Sequence, residues 1–203
     1  MRERPILFSA PMVRAILEGT KTQTRRGVKP QHIKHWGPSM DAAIERLPSL
    51  AAAFCPYGQP GDRLWVKETF FDTAPFRDAP LFESRATPIA YRADNEFIGC
   101  HKWRPSIHMP RRASRITLEI NAVRVERLRE INAADAKSEG IEGQFEGGPW
   151  RNYQRDGHWF PEGKDTAPVL SYRTLWEKIN GPGSWDANPW VWVIEFKRVE
   201  DSK

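Results

Sequence analysis

The segment Gly19-Thr20-Lys21-Thr22-Gln23-Thr24-Arg25-Arg26 places an amine, three hydroxyls and two guanidinium groups within eight residues. It has the form GxKxxTxR, with Lys21 and Thr24 three apart and Arg26 two further on. Cations next to a hydroxyl can hold an anionic group, and fork-shaped Arg side chains suit phosphate in particular. A second such stretch lies at 101–115, HKWRPSIHMPRRASR, with Lys102, Arg104, Arg111, Arg112 and Arg115 and no acid. There Arg104, Arg111 and Arg115 are candidates for phosphate. Trp103 and His108 are candidates to stack on or hydrogen-bond a base, and Ser106 lies between them. Taken singly, each reads as structural before it reads a base; the loop as a group is the candidate for a nucleic-acid or nucleotide contact.

The charge is local rather than general. The chain of 203 residues carries a formal net charge of +5. Residues 11–36 hold +5, residues 101–115 hold another +5, and the remainder therefore sums to −5. Two basic segments on a balanced background suit a polyanion-binding face, with two solvated loops as the bland alternative. The 39% hydrophobic content is enough for a real core, while nine Trp and seventeen Pro point to a folded body with long ordered loops.

Several classes fall away. No apolar run reaches the 18 or so residues of a membrane span. Arg14 and Glu18 interrupt the N-terminal apolar stretch, which argues against a secretory signal. Two cysteines, Cys55 and Cys100, make neither a disulfide framework nor a four-Cys zinc site, so reduced thiols in a cytoplasmic protein are expected. The five histidines show no ligand spacing; His32 and His35 sit three apart without a nearby acid or Cys. Neither a metal nor a cofactor is expected.

The elements that must carry these residues follow from periodicity and turn chemistry. Residues 5–9 read as a first strand. Ser9 can cap a helix over 10–18, with Pro11 in its first turn and Gly19 as its stop. Residues 20–35 read as a polar loop, and 41–54 carry a weak helical pattern. A turn at 59–62 leads into a strand over 63–71, in which Leu64, Val66 and Glu68 share one parity and Trp65 the other. A short strand is expected at 89–93. The span 115–128 is the best strand signal, with a register shift near Asn121 that predicts a bulge or two strands. Asn132 can cap a helix through Glu139, ended by Gly140. A helix over 169–180 and a strand over 190–199 close the chain. In that last strand, Trp190, Trp192, Ile194 and Phe196 oppose Val191 and Val193. This order predicts a single α+β domain over 1–203 with a mainly antiparallel sheet, closed as a small barrel.

The motif, taken with its neighbours, resembles the ASCH family, a branch of the PUA-like β-barrel superfamily. The pieces come in family order: helix, GxKxxTxR, GDRLWVKE at 61–68, RITLEI and VRVERL, INAADAKSEGI, and WVWVIEFKRV. They cover residues 5–35, 61–71, 113–141 and 168–199, about half the chain. GPGSWDANPW before the last strand looks like ASCH proteins common in phages and prophages. The resemblance implies a small antiparallel barrel flanked by short helices, with long insertions at about 36–60, 72–88, 95–112 and 142–167. It also implies a cleft for RNA, DNA or a modified nucleoside or nucleotide.

One bacterial branch of the family is similar to an amidohydrolase that removes the acetyl group of N4-acetylcytidine. Carried over by motif, its functional residues are Lys21, Thr24 and Glu139. Their chemistry is coherent. A Thr hydroxyl needs a base to act as nucleophile, a Lys can activate it only with a depressed pKa, and a Glu can protonate the leaving amine. Alternatively, Thr24 bonds a turn amide, Lys21 contacts phosphate and Glu139 faces solvent. Glu68, on the buried parity of its strand, needs Lys21 or an Arg as partner if it enters the cleft, and otherwise turns to solvent at the strand end. Trp65 either stacks on a base or packs in a second apolar layer. Arg25 beside Arg26 favours a phosphate-bearing ligand over a bare nucleoside. The expected functions are amide hydrolysis on an acylated cytidine-like substrate, a non-catalytic RNA or DNA binder or modified-base reader, or a metal-independent ribonuclease.

Overall fold

The computed structural model describes the chain except for residues 30, 32–39, 74–88, 95–98, 100–101, 146–147, 162–165 and 200–203. His32, His35, Cys100 and most of the expected insertion at 72–88 lie outside the described residues.

Five strands form one sheet: β1 (Glu3–Leu7), β2 (Gln23–Gly27), β3 (Arg63–Lys67), β6 (Thr117–Arg127) and β9 (Trp190–Val199). Two short strands, β4 (Phe70–Asp72) and β5 (Ile89–Tyr91), pair beside it. Another two, β7 (Trp150–Arg151) and β8 (Trp159–Phe160), form a ladder inside the expected insertion at 142–167. The helices are α1 (Ala10–Leu17), α2 (Met40–Arg46), α3 (Pro48–Ala53), α4 (Ala133–Ser138) and α5 (Ala167–Asn180).

The sheet order is β1-β3-β6-β9-β2. β1 and β3 run parallel, and the other neighbours run antiparallel. The α+β class stands, but the sheet is mixed. The chain leaves β1 through α1, β2, α2 and α3 before β3, and so long a crossover permits a parallel return. Among the described residues no ladder joins edge strands β1 and β2, so the expected closed barrel is not seen. β2 itself replaces part of the loop expected at 20–35. Its residues are polar, and Gln23, Thr24 and Arg25 are nonetheless buried.

β9 organises the core as its alternation predicts. Trp190, Trp192, Ile194 and Phe196 join Ile6, Val13, Ile16, Leu64 and Leu118 on one face. Val191 and Val193 join Tyr172, Trp176 and Trp185 on the other. Each large apolar side chain so buried contributes about 1.5–3 kcal/mol. The register shift falls between Ile120 and Ala122, so Asn121 marks a bulge within one strand. The Asn132 carboxamide accepts the Asp135 amide at 2.8 Å and starts α4. Ser9 precedes α1, but its hydroxyl makes no cap bond.

Candidate active site

Lys21 enters β2 and Glu139 leaves α4, and an antiparallel bridge joins them across 118 residues of chain. Gly140 makes this approach possible. Its φ is +74°, and a Cβ there would stand 2.8 Å from Lys21 Cβ and 2.9 Å from Ala15 Cβ. Only glycine meets both demands.

The Lys21 side chain is fully buried. Its Nζ donates to Glu139 O at 2.6 Å, Glu139 Oε2 at 3.0 Å and Gln23 O at 2.9 Å. Three donors thus meet three acceptors. Burial pulls the ammonium below its ordinary pKa, against the opposing pull of Glu139. Arg25 lies behind the same carboxylate and donates to Glu139 Oε1 at 3.2 Å, Glu126 Oε1 at 2.6 Å and Asp135 Oδ2 at 2.8 Å. Arg124 adds bonds to Glu126, Asp135 and Glu195. Three cations and the carboxylates of Glu126, Asp135 and Glu139 therefore form one network beneath the strand edge. Burial works against the Asp135 carboxylate, but Arg25, Gln23 and Arg124 outweigh it and hold its pKa below the ordinary value.

Thr24 and Glu139 both line a cavity of about 70 Å³ at the open edge of β2. Arg25, Arg26 and Gly27 of β2, Met12 of α1, and Tyr172, Leu175, Trp176, Ile179 and Asn180 of α5 line it too. Burial, with Glu139 adding to it, drives the Tyr172 pKa well up, so a neutral phenol faces the site. Trp176 Nε1 and Arg26 Nε are buried without hydrogen-bond partners among the described residues, as are Arg63 Nε and Trp192 Nε1 away from this cavity. Among the described residues Lys21 makes no hydrogen bond to Thr24; it reaches the cavity through Glu139. The cavity adjoins a larger one of about 540 Å³, with Met12, Arg26, Leu175 and Ile179 common to both.

The other sequence candidates separate into three places. Arg26 stays at the site, with Nη2 on Leu7 O at 2.7 Å and its guanidinium over the Phe8 ring. Ser106 lines the larger cavity. Glu68 is buried, but its partner is Arg115, bidentate at 3.0 and 3.1 Å, rather than Lys21. Burial raises the Glu68 pKa, against the pull of Arg115. Arg115 also grips both oxygens of Asp94 and lies 3.9 Å from the Tyr91 ring centre, so it is a structural clamp. Trp65 sits beneath Lys67 and Arg111. Trp103 packs on Phe71 and Ala90 beneath Arg92. Arg104 covers Phe70, and His108 is exposed. None of Trp65, Glu68, Trp103, Arg104, His108, Arg111 or Arg115 lines the cavity that Thr24 and Glu139 share.

Sequence reasoning missed Tyr172 and Trp176, two aromatics four apart on α5. Their spacing marks one helix face, although it does not reveal what that face meets. Among the described residues no group of three or more His, Cys, Asp or Glu could hold a metal ion, and no helix is long and apolar enough to cross a membrane. Comparison of the chain with known protein families, curated proteins and solved structures finds no match.

Proposed function

We propose that this protein hydrolyses an amide on an acylated, cytidine-like nucleobase or nucleoside. The observation that carries the reading is the convergence of Thr24 and Glu139 on one small cavity, with buried Lys21 bonded to Glu139 from behind. In this reading Thr24 Oγ attacks the acyl carbon and its proton passes to Glu139. Glu139 returns that proton to the leaving amine, and water then cleaves the acyl-threonine ester. Lys21 acts through Glu139 as a positioning residue: as a neutral amine it accepts the proton that Glu139 has taken, and as the resulting ammonium it gives it back for the leaving amine. The ASCH resemblance, with its PUA-like barrel, belongs to the same proposal. The Arg26 bond to Leu7 O, which links the ends of the two edge strands, supports a curled sheet.

The test incubates wild type and Lys21→Ala with N4-acetylcytidine and with single-stranded RNA and identifies the products. Cytidine and acetate from wild type only is the expected result. Cleaved RNA would support the ribonuclease alternative, and full activity in Lys21→Ala would remove the assigned role. The rate should also depend on pH. Below its folded pKa Lys21 is an ammonium and takes no proton; above it the neutral amine does. The depressed pKa places the rise in rate below the ordinary Lys value of about 10.4. Lys21→Arg should abolish that rise, and an unchanged profile would refute the coupling.

A second reading is favoured by the saturation of Lys21, whose three N–H groups are all spent on protein oxygens. Here the pocket reads a modified base in RNA or DNA without cutting it. Oligonucleotide binding that falls steeply with salt, without products, would select this reading.

Trp176→Phe probes the pocket in either case. The lost indole N–H has no partner among the described residues, so none of their hydrogen bonds is removed. Ligand affinity should fall roughly 2–10-fold, the worth of one hydrogen bond. Calorimetric titration of the two proteins measures it.

A further inference from the structure

Among the described residues, several cations are held by carboxylates and others are not. Arg25, Arg115 and Arg124 are each held by two or more carboxylates. The larger cavity beside the Thr24–Glu139 pocket is different. Lys178 of α5 lines it and has no hydrogen-bond or ion-pair partner among the described residues. Arg26 lines both cavities, and its buried Nε has no partner among the described residues. The hydroxyls of Ser9, Thr69 and Ser106 line the same space, and none has a hydrogen bond among the described residues. Ser9 stands at the start of α1, where the helix dipole adds positive potential. The carboxylate on this wall, Glu142, is neutralised by Arg151 at 2.5 Å.

Unspent N–H and O–H donors around one cavity suit a ligand rich in anionic oxygen. We infer that the larger cavity is a phosphate subsite, and that the ligand is therefore a nucleotide, with its base in the inner pocket and its phosphate against Arg26 and Lys178. The inference rests on the proposed function only in placing a base in the inner pocket. It requires no turnover. The phosphate is not consumed; it orients the base, with Lys178 contributing a point charge and Arg26 its positive charge and the Nε–H that Leu7 O does not engage.

The test is calorimetric titration at low salt with cytidine and with cytidine 5′-monophosphate. Wild type should bind the monophosphate at least about tenfold more tightly, as expected for hydrogen bonds to a charged group. Lys178→Ala should remove most of that preference and leave cytidine binding unchanged, because Lys178 is an exposed residue on a helix surface. Lys178→Glu should reverse the preference. Inorganic phosphate should compete with the monophosphate. Equal affinity for nucleoside and nucleotide, no measurable binding of the monophosphate, or a preference untouched by both Lys178 variants would overturn the inference. Hydrolysis of N4-acetylcytidine without phosphate preference would refute the subsite alone. Phosphate preference without hydrolysis would refute the proposed reaction alone.

Discussion

Arg25→Met is expected to cost about 3–5 kcal/mol of folding stability, the price of removing one partner from a buried ionic cluster. The Arg25 side chain is fully buried and touches Glu126, Asp135 and Glu139 at 2.6, 2.8 and 3.2 Å. Met fills similar volume, so the loss reports charge rather than a void. Lys21 and Arg124 remain, but they cannot neutralise three carboxylates from their present positions. A comparison variant, Arg111→Met, removes a half-exposed pair with Glu3 at 3.1 Å and should cost no more than about 1 kcal/mol. Urea unfolding of the two variants and wild type measures both. A loss from Arg25→Met as small as that from Arg111→Met would show that water reaches the cluster.

The same cluster sets an acid limit. The Asp135 pKa is depressed in the fold, so its contribution is present above its unfolded value and is lost as pH falls through the folded one. Without Arg25 that contribution shrinks, and the variant should gain less stability than wild type between acid and neutral pH.

Under the proposed reaction, Glu139→Gln should lower hydrolysis of N4-acetylcytidine by about 10²–10⁴-fold, the usual worth of general acid–base catalysis. Gln keeps the shape and an acceptor for Lys21, yet it cannot carry a proton between Thr24 and the leaving amine. Thr24→Val, which removes the nucleophile and keeps its volume, should fall by at least as much. Because Glu139 also partners Lys21 and Arg25, unfolding curves must accompany the rates. A folded Glu139→Gln protein with wild-type turnover would remove Glu139 from the chemistry. A folded Thr24→Val protein with normal rates would mean that water attacks directly.

Local pattern carries much of this fold. α1 between Ser9 and Gly19, the Asn132 cap, the bulge at Asn121 and the two-faced strand Trp190–Val199 each depend on contacts within a few residues or on strict alternation. The candidate triplet Lys21, Thr24 and Glu139 came from the family resemblance, and two of its members share a cavity. What the sequence determined by itself is therefore the inventory of elements and the residues worth watching. The tertiary structure alone decided that Gln23-Thr24-Arg25-Arg26 is a strand. Polar residues read locally as loop, and burying them is tolerable only because carboxylates about 100 to 118 positions away meet their charges. It also decided that Glu68 answers Arg115, that β1 runs parallel to β3, and that α5 brings Tyr172 and Trp176 to the pocket. Each of these depends on which distant groups become neighbours, and periodicity along one segment carries no record of that.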